Sequence, residues 1–366
     1  MHEIESIPRS LNNTGKLTEL HKRLKPIPVN EDSFPTEAFE FLNANKLFGL
    51  NIPKVYGGMG IGVQDGAVKL LTVLKEVGFY DLSVGRIYEG HLNAMQLIEE
   101  FGTPLQKVRY FKESLGGMLF GVWNSEFSNE GLQLMEASGG SKLKGAKVFC
   151  SGGVRVKRPI VTVATTEGKR MIVLNLDQMS LKEDHSFWTP LGMKASMSCR
   201  LDFSEMRIVK SQFLGELGDY EREPLFSGGA IRFAAVQLGG AEAAIYHTLE
   251  HLKKLDRTGN VHQTSRLGRL AILRERGNAW VQRAGKAMGN QNLDSSQLVN
   301  LANMMRIEVR EICEEVLSTA ELSVGLAGLM TPHPLERIHR DLSVYLKQPG
   351  PDRALEQVGK HIASHG

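Results

Sequence analysis

The stretch Gly325 to Asp352 reads GLAGLMTPHPLERIHRDLSVYLKQPGPD, and the interpretation of the whole chain depends on it. Its glycines predict a turn. Pro334 predicts the start of a helix. Proline lacks an N–H, and the N–H of the first helical residue makes no hydrogen bond within the helix. The predicted helix carries Arg337, Arg340 and Asp341. A loop broken by two prolines follows, so the stretch predicts a turn, an arginine-rich helix and a loop that presents side chains.

The composition is that of an ordinary globular chain. Its 366 residues are 42% hydrophobic and 23% charged, which is enough for two or three domains with sizeable cores. The net charge of +3 favours neither a nucleic-acid partner nor an anionic membrane. The start has no basic segment before an apolar core, and no apolar run is long enough to cross a bilayer, so we expect a cytoplasmic protein.

Three cysteines, Cys150, Cys199 and Cys313, lie far apart in the chain. They form no CxxC pair and have no companion histidine at the spacing of metal ligands. We therefore expect free thiols in a reducing compartment and no metal site.

The hydrophobic period changes twice along the chain. Residues 1–117 have apolar positions at helical spacing, residues 118–215 alternate apolar and polar positions in short runs, and residues 216–366 return to helical spacing in long stripes. Short strands at this density predict a small barrel or sandwich, and long helices joined by short loops predict a bundle. The predicted fold class is α+β, with an N-terminal helical domain, a middle β-barrel and a C-terminal four-helix bundle.

Five motifs occur in an order that a known family shares. They are IPKVYGGMGIG at Ile52 to Gly62, FGTPLQKVRYF at Phe101 to Phe111, WNSE at Trp123 to Glu126 with GAKVFCSGG at Gly145 to Gly153, LGMKASMSCRLDFSEMRIV at Leu191 to Val209, and PLERIHRD at Pro334 to Asp341. On these motifs the chain resembles the acyl-CoA dehydrogenase superfamily of flavoenzymes across nearly its whole length. The resemblance implies FAD, with FMN as the alternative, held between the β domain and the bundle of a dimer or tetramer.

The resemblance also implies which residues face the flavin. Ser125 and Ser151 stand where the family has hydroxyl residues, and Phe149 stands where it has a large side chain. A reduced flavin carries negative charge near N1 and O2, so it needs donors there and a ring covering one face. The alternative roles are a strand end for Ser151, barrel core for Phe149 and ordinary packing for Trp123.

The far end of FAD depends on a second group of residues. Gln263 resembles the glutamine that grips the pyrophosphate across subunits, although Arg257 precedes it at a shortened spacing. Gly325 and Gly328 match a later glycine turn, and glycines permit a phosphate to approach the backbone closely.

Two residues are candidates on the substrate side. Arg232 stands near the start of the first bundle helix, where the family often has a substrate-side arginine, and a surface or interface arginine is the alternative. His91 is at a position facing the predicted substrate cleft, where it would serve as an acid or base near neutral pH. A histidine with satisfied hydrogen bonds at a helix start is the other interpretation.

The family's usual catalytic base is missing. Removal of the α-proton of a thioester, while a hydride leaves the β-carbon, requires a carboxylate in a dry pocket. The position that resembles the family's glutamate is Pro349, and the alternative position on the first bundle helix is Ile231, so neither accepts a proton. Asp352 is close enough in sequence to act as a displaced base, and a carboxylate at a helix start is its other role.

Three functions fit this pattern. The first is a FAD-dependent oxidoreductase of the acyl-CoA dehydrogenase type, acting on an acyl-CoA or a carrier-bound acyl group with an electron-transfer partner. The second is a flavin monooxygenase that receives reduced flavin from a partner reductase. Such an enzyme needs no thioester base, and the sequence FCSGG at Phe149 to Gly153 resembles that branch of the superfamily. The third is a non-catalytic flavin-binding homologue that kept the fold.

Overall fold

The computed structural model describes residues 19–62, 66–137, 140–177 and 179–365. Its N-terminal part is helical. The helices are α1 Leu20–Leu24, α2 Thr36–Ala44, α3 Ala67–Tyr80, α4 Leu82–Phe101 and α5 Pro104–Leu115. Side chains fix two of the starts: the Asp81 carboxylate accepts the Val84 N–H at the start of α4, and Thr103 and Gln106 cap α5 reciprocally.

The middle part consists of nine short strands within the described residues. They are β1 Phe120–Trp123, β2 Gln133–Ala137, β3 Gly140–Lys144, β4 Ala146–Cys150, β5 Arg158–Ala164, β6 Lys169–Val173, β7 Cys199–Asp202, β8 Arg207–Ile208 and β9 Phe213–Leu214. Seven form a mixed sheet in the order β8-β3-β2-β5-β6-β9, with β1 paired in parallel to β5. The other two, β4 and β7, pair antiparallel with each other.

The C-terminal part is again helical. Its helices are α6 Leu225–Lys254, α7 Val261–Met288, α8 Ser295–Val324, α9 Pro334–Tyr345 and α10 Pro351–His365. The apolar stripes of α6, α7 and α8 are buried against one another, as their helical spacing predicts. A short 3-10 turn, Gly325–Leu329, joins α8 to the segment before α9.

Helices α3 and α6 approach each other so closely that only glycine fits at the contact. A Cβ on Gly78 would lie 2.2 Å from the Val236 carbonyl oxygen, and a Cβ on Gly239 would lie 2.1 Å from the Lys75 carbonyl oxygen. The bundle is therefore packed backbone to backbone against the N-terminal helices, and this contact holds α4 beside α6.

Helix α9 connects the parts of the molecule. Arg340 forms a two-pronged ion pair with Glu31, with both N–O distances at 2.8 Å. Asp341 accepts a hydrogen bond from the backbone N–H of Met193, which lies in the middle part between β6 and β7. The arginine-rich helix predicted from the sequence therefore joins the bundle to both other parts.

The predicted fold class is confirmed: helices precede and follow a central region of strands. The elements change from helix to strand between Leu115 and Phe120, and from strand to helix between Leu214 and Leu225. The domain boundaries at 117 and 215 remain predictions. Among the described helices, none combines the length and the apolar character needed to cross a membrane.

Candidate functional site

An irregularity in the β4–β7 ladder turns one aromatic side chain outward. The register shifts between Lys147 and Cys150, and Phe149 lies at this shift with a φ of 53°. A β-bulge re-aims the side chain at the bulged position. The Phe149 ring is accordingly 47% exposed at the end of a strand whose other residues are buried.

The predicted hydroxyl residues lie close to this ring. Ser125 is exposed just after β1, and its carbonyl accepts the Val148 N–H at 3.0 Å, which places it beside β4. The Ser151 hydroxyl shares a hydrogen bond with Ser198 at 3.1 Å. Trp123 is buried, and its indole N–H donates to the Ser151 carbonyl at 3.3 Å. Trp123 therefore supports these residues from inside.

Two aromatic residues that sequence reasoning missed complete this surface. Phe187 and Trp188 pack edge-on against Phe149, with ring centroids at 5.4 and 6.0 Å. The Trp188 indole nitrogen is buried and has no hydrogen-bond partner among the residues that the structure describes, which is costly for a donor. We call Ser125, Phe149, Ser151 and Trp188 the strand-end surface.

The strand-end surface has the chemistry that an isoalloxazine ring needs. It combines an exposed aromatic face, an exposed hydroxyl at Ser125 and a buried donor at Trp188 that lacks an acceptor. A flavin ring offers both carbonyl acceptors and a flat apolar face. These residues fit the predicted cofactor.

The residues predicted to hold the pyrophosphate form a separate group at the end of the bundle. The Gln263 amide donates to the Ser323 carbonyl at 3.1 Å, while its buried Oε1 accepts no hydrogen bond from any residue that the structure describes. Arg257 and Gly325 are exposed, and Gly328 is buried against Val324. The structure therefore brings Gln263 next to the glycine turn, and the hydrogen bond of its side chain runs to α8 rather than to the strand-end surface.

Arg232 lines a small cavity between α4 and α6. The cavity measures about 80 Å³. The Arg232 side chain is almost fully buried, and its Nε donates to the Asn93 side-chain oxygen. Within residues 19–62, 66–137, 140–177 and 179–365, its Nη1 has no hydrogen-bond partner. The other lining residues are Asn93, Gln96, Leu97, Val122, Tyr220, Leu225, Phe226 and Gly229. We call this space the α4–α6 cavity.

A polar face of α4 borders this cavity and was not predicted. Arg86 donates to Glu89 at 2.7 Å, and the Asn93 amide donates to the other oxygen of Glu89. The spacing of three and four residues places these side chains on one helix face. The sequence carries that signal, but nothing in it shows that the face is buried rather than solvated.

His91 is a buried structural histidine and does not face a cleft. Its side chain has no exposed surface, Nε2 lies 2.9 Å from the Phe48 carbonyl oxygen, and Nδ1 accepts the Phe120 N–H at 3.1 Å. Burial lowers the pKa of His91 to about 4. Of the two interpretations made from the sequence, the histidine with satisfied hydrogen bonds matches this geometry, because both ring nitrogens are engaged, although His91 lies in the middle of α4 rather than at a helix start.

Two regions of the chain match family models. Residues 18–117 match the N-terminal domain of acyl-CoA dehydrogenases, and residues 223–358 match their C-terminal domain. The chain belongs to the acyl-CoA dehydrogenase superfamily. The first of these matches covers the helices before the strands, and the second covers most of the bundle.

Relatives within the superfamily are distant but similar in length. An acyl-CoA dehydrogenase of Bacillus subtilis (strain 168) is 23% identical over 86% of this chain and 86% of its own. The structure of butyryl-CoA dehydrogenase from Megasphaera elsdenii matches with a TM-score of 0.84 at 20% identity, covering 96% of this chain and 97% of the other. The fold also matches dibenzothiophene monooxygenase (TdsC) from Paenibacillus sp. A11-2, with a TM-score of 0.82 at 18% identity over 96% and 97% of the two chains.

In this member of the superfamily, an arginine side chain binds the loop after α9 through a backbone carbonyl of the loop, not through a carboxylate. Arg306 of α8 donates to the Pro349 carbonyl at 2.5 Å. Asp352 lies exposed in the first turn of α10, where a carboxylate interacts favourably with the positive end of the helix dipole. The structure thus shows Asp352 in the helix-start role, one of the two roles considered for it.

Strand β7 and the loop before it bring together three groups of the kind that bind metals. The ligand atoms of Glu183, His185 and Cys199 lie within 4.8 Å of one another. Glu183 accepts the Val154 N–H at 2.7 Å, and burial raises the pKa of the Cys199 thiol to about 12, so this sulfur is protonated at neutral pH. The sequence did not suggest this proximity, since no short metal-ligand spacing joins the three.

Proposed function

We propose that this chain is a flavin-dependent oxidoreductase of the acyl-CoA dehydrogenase type, acting on an acyl thioester or a related acyl substrate. The observation that carries the proposal is the strand-end surface, where an exposed ring, an exposed hydroxyl and an unpaired indole N–H adjoin in a chain of this superfamily. FAD is the proposed cofactor, with FMN as the alternative, because TdsC from Paenibacillus sp. A11-2 has a crystal structure in its FMN-bound form. When bound, the flavin would accept two electrons from the substrate.

Separate residues of the chain would then bind the cofactor and the substrate. Ser125 and Trp188 donate to the polar edge of the ring, and Phe149 covers one of its faces. Arg232 and Asn93 hold the substrate in the α4–α6 cavity, which Val122 of β1 also lines. Burial between α4 and α6 keeps water away from the guanidinium of Arg232.

We further propose that the working form is a dimer or tetramer in the cytoplasm. The bundle end around the 3-10 turn exposes four large apolar side chains, Leu322, Leu326, Leu329 and Met330. An apolar patch of this kind marks an interaction surface. A second copy placed there would bring Arg257 and Gln263 to the cofactor of its neighbour, and light scattering during gel filtration would measure the resulting mass.

A flavin monooxygenase fed by a reductase is the second candidate, and Pro349 favours it. A monooxygenase needs no carboxylate to remove an α-proton, whereas a thioester dehydrogenase does. The fold match to dibenzothiophene monooxygenase is almost as good as that to butyryl-CoA dehydrogenase.

The test is spectroscopic. The purified protein is reconstituted with FAD or FMN and dialysed, and we expect bound flavin absorbance to remain; its loss would contradict both enzyme functions and leave a chain that lacks flavin chemistry. Bleaching of the oxidised protein by an acyl-CoA under nitrogen would support the dehydrogenase. A transient absorbance band after mixing photoreduced protein with oxygen, without such bleaching, would support the monooxygenase instead.

A further inference from the structure

The guanidinium of Arg232 is buried beside the α4–α6 cavity without a full set of partners. Only 4% of the residue is exposed. Its Nε donates to Asn93, but Nη1 is buried and finds no hydrogen-bond partner in the described part of the chain. A guanidinium carries five N–H donors in a fixed plane, and it is satisfied best by a carboxylate that accepts two of them.

The neighbouring carboxylate is already engaged. Glu89 accepts from Arg86 at 2.7 Å with one oxygen and from Asn93 with the other. Arg86 and Arg232 therefore share one carboxylate, which leaves an excess positive charge beside the cavity. The buried Tyr345 hydroxyl also lacks a hydrogen-bond partner among the described side chains and backbone groups, and it lies within electrostatic range of Arg86 and Glu89.

This arrangement is unfavourable until an anion arrives. Burial lowers the pKa of Arg232 to about 10, and only the more distant charge of Glu89 opposes that shift. A buried cation without a counter-charge costs free energy. An alkyl chain in the cavity would exclude water but would supply no counter-charge. A carboxylate would supply both the charge and the acceptors.

We propose that the α4–α6 cavity binds a free carboxylate of the substrate, so that the substrate is the monothioester of a dicarboxylic acid. Arg232 pairs with this carboxylate, and Asn93 fixes the orientation of the guanidinium from its other side. The proposal rests on the proposed function, since it names the substrate class of the same site. A cavity of about 80 Å³ has room for such a terminal group, because a single water needs only about 15 Å³ measured this way.

Calorimetric titration of the full chain with glutaryl-CoA and with pentanoyl-CoA tests this directly. The two thioesters have the same number of acyl carbons and differ in the terminal carboxylate. We expect glutaryl-CoA to bind about 10- to 100-fold more tightly, the range of a hydrogen-bonded charge pair. Arg232→Met removes the charge at similar side-chain length and should abolish the preference, and Arg232→Lys should keep part of it. Arg207→Met, at an exposed position of β8, is the matched control and should keep all of it.

Several outcomes would overturn the proposal. One is equal affinity of the unmodified chain for both thioesters, and another is a preference that survives Arg232→Met. If neither thioester binds, the proposed function is contradicted. Free glutarate then tests separately whether the cavity binds a carboxylate. A rise in melting temperature with glutarate that is absent in Arg232→Met would still support a carboxylate site, whereas the same response in both chains, or none, would contradict it.

Discussion

Arg337 and Asp81 form an ion pair with 2.6 Å between Nη2 and Oδ2, although 256 residues separate them in the chain. Asp81 also caps α4, and Arg337 donates a further hydrogen bond to the Val29 carbonyl at 2.7 Å. One guanidinium of α9 therefore fixes both the start of α4 and the segment before α2.

Replacing Arg337 with Met should lower the free energy of unfolding by about 3 kcal/mol, because it leaves the buried Asp81 carboxylate without its cation. Urea denaturation measures the change. Lys169→Met breaks the exposed pair with Glu221 and should cost less than about 1 kcal/mol. Equal losses in the two variants would show that the Arg337 pair contributes no more than a surface pair.

His91 should make the stability depend on pH. Its pKa is about 4 in the folded chain, below the ordinary value of 6.5, so the unfolded chain binds the proton more readily. The free energy of unfolding should therefore fall as the pH drops from 6.5 to 4, by up to about 3 kcal/mol from this residue. His91→Gln keeps one donor and one acceptor without titrating, and thermal melts over this pH range should show a shallower slope. An unchanged slope would assign the acid sensitivity to other groups.

The contact between α3 and α6 should not tolerate a methyl group. Gly239→Ala would place a Cβ 2.1 Å from a carbonyl oxygen, so the helices must separate, at a cost of about 1–3 kcal/mol or more. Gly268 is a matched control in α7, since a Cβ there meets nothing within 4 Å. Gly268→Ala should raise the stability by up to about 1 kcal/mol through helix propensity. Denaturation midpoints that move in the same direction for both variants would contradict the close packing.

Phe149→Ala should weaken flavin binding about 10-fold, because an aromatic face is worth about 1 kcal/mol or more beyond its simple area. Quenching of flavin fluorescence during titration measures the affinity. Tyr246→Ala changes a partly exposed ring on α6 and should leave the affinity as it is. Loss of affinity in both variants would indicate a general loosening of the structure rather than a contact at the strand-end surface.

Asp352→Asn should leave the rate of flavin reduction by an acyl-CoA unchanged and lower the melting temperature slightly. The carboxylate is exposed in the first turn of α10, where it interacts with the helix dipole for at most about 1 kcal/mol. Anaerobic stopped-flow absorbance gives the rate. A drop of about 100-fold or more would instead identify Asp352 as the displaced base.

The fold was predictable because its signals are local. Helical spacing, the proline at the start of α9 and the alternation in the strands each follow from a few neighbouring residues. The motif order then suggested how these elements assemble. What no short pattern contained was the bulge at Phe149, which depends on the pairing of β4 with β7.

The candidate site was only partly predictable. Ser125, Phe149 and Ser151 do lie together, but Trp188 reaches them from a loop with no regular pattern. The polar face of α4 around Glu89 resembles any solvated helix face until its burial is known. His91 was ambiguous for the same reason, since both of its partners come from distant segments.

Helix α9 is anchored on two sides, through Arg340 to Glu31 and through Asp341 to Met193, and the loop that contains Pro349 begins only after the helix has ended. Substitutions in that loop consequently leave both anchors in place. The sequence of the loop can therefore diverge while the contacts that hold α9 to the rest of the molecule are kept.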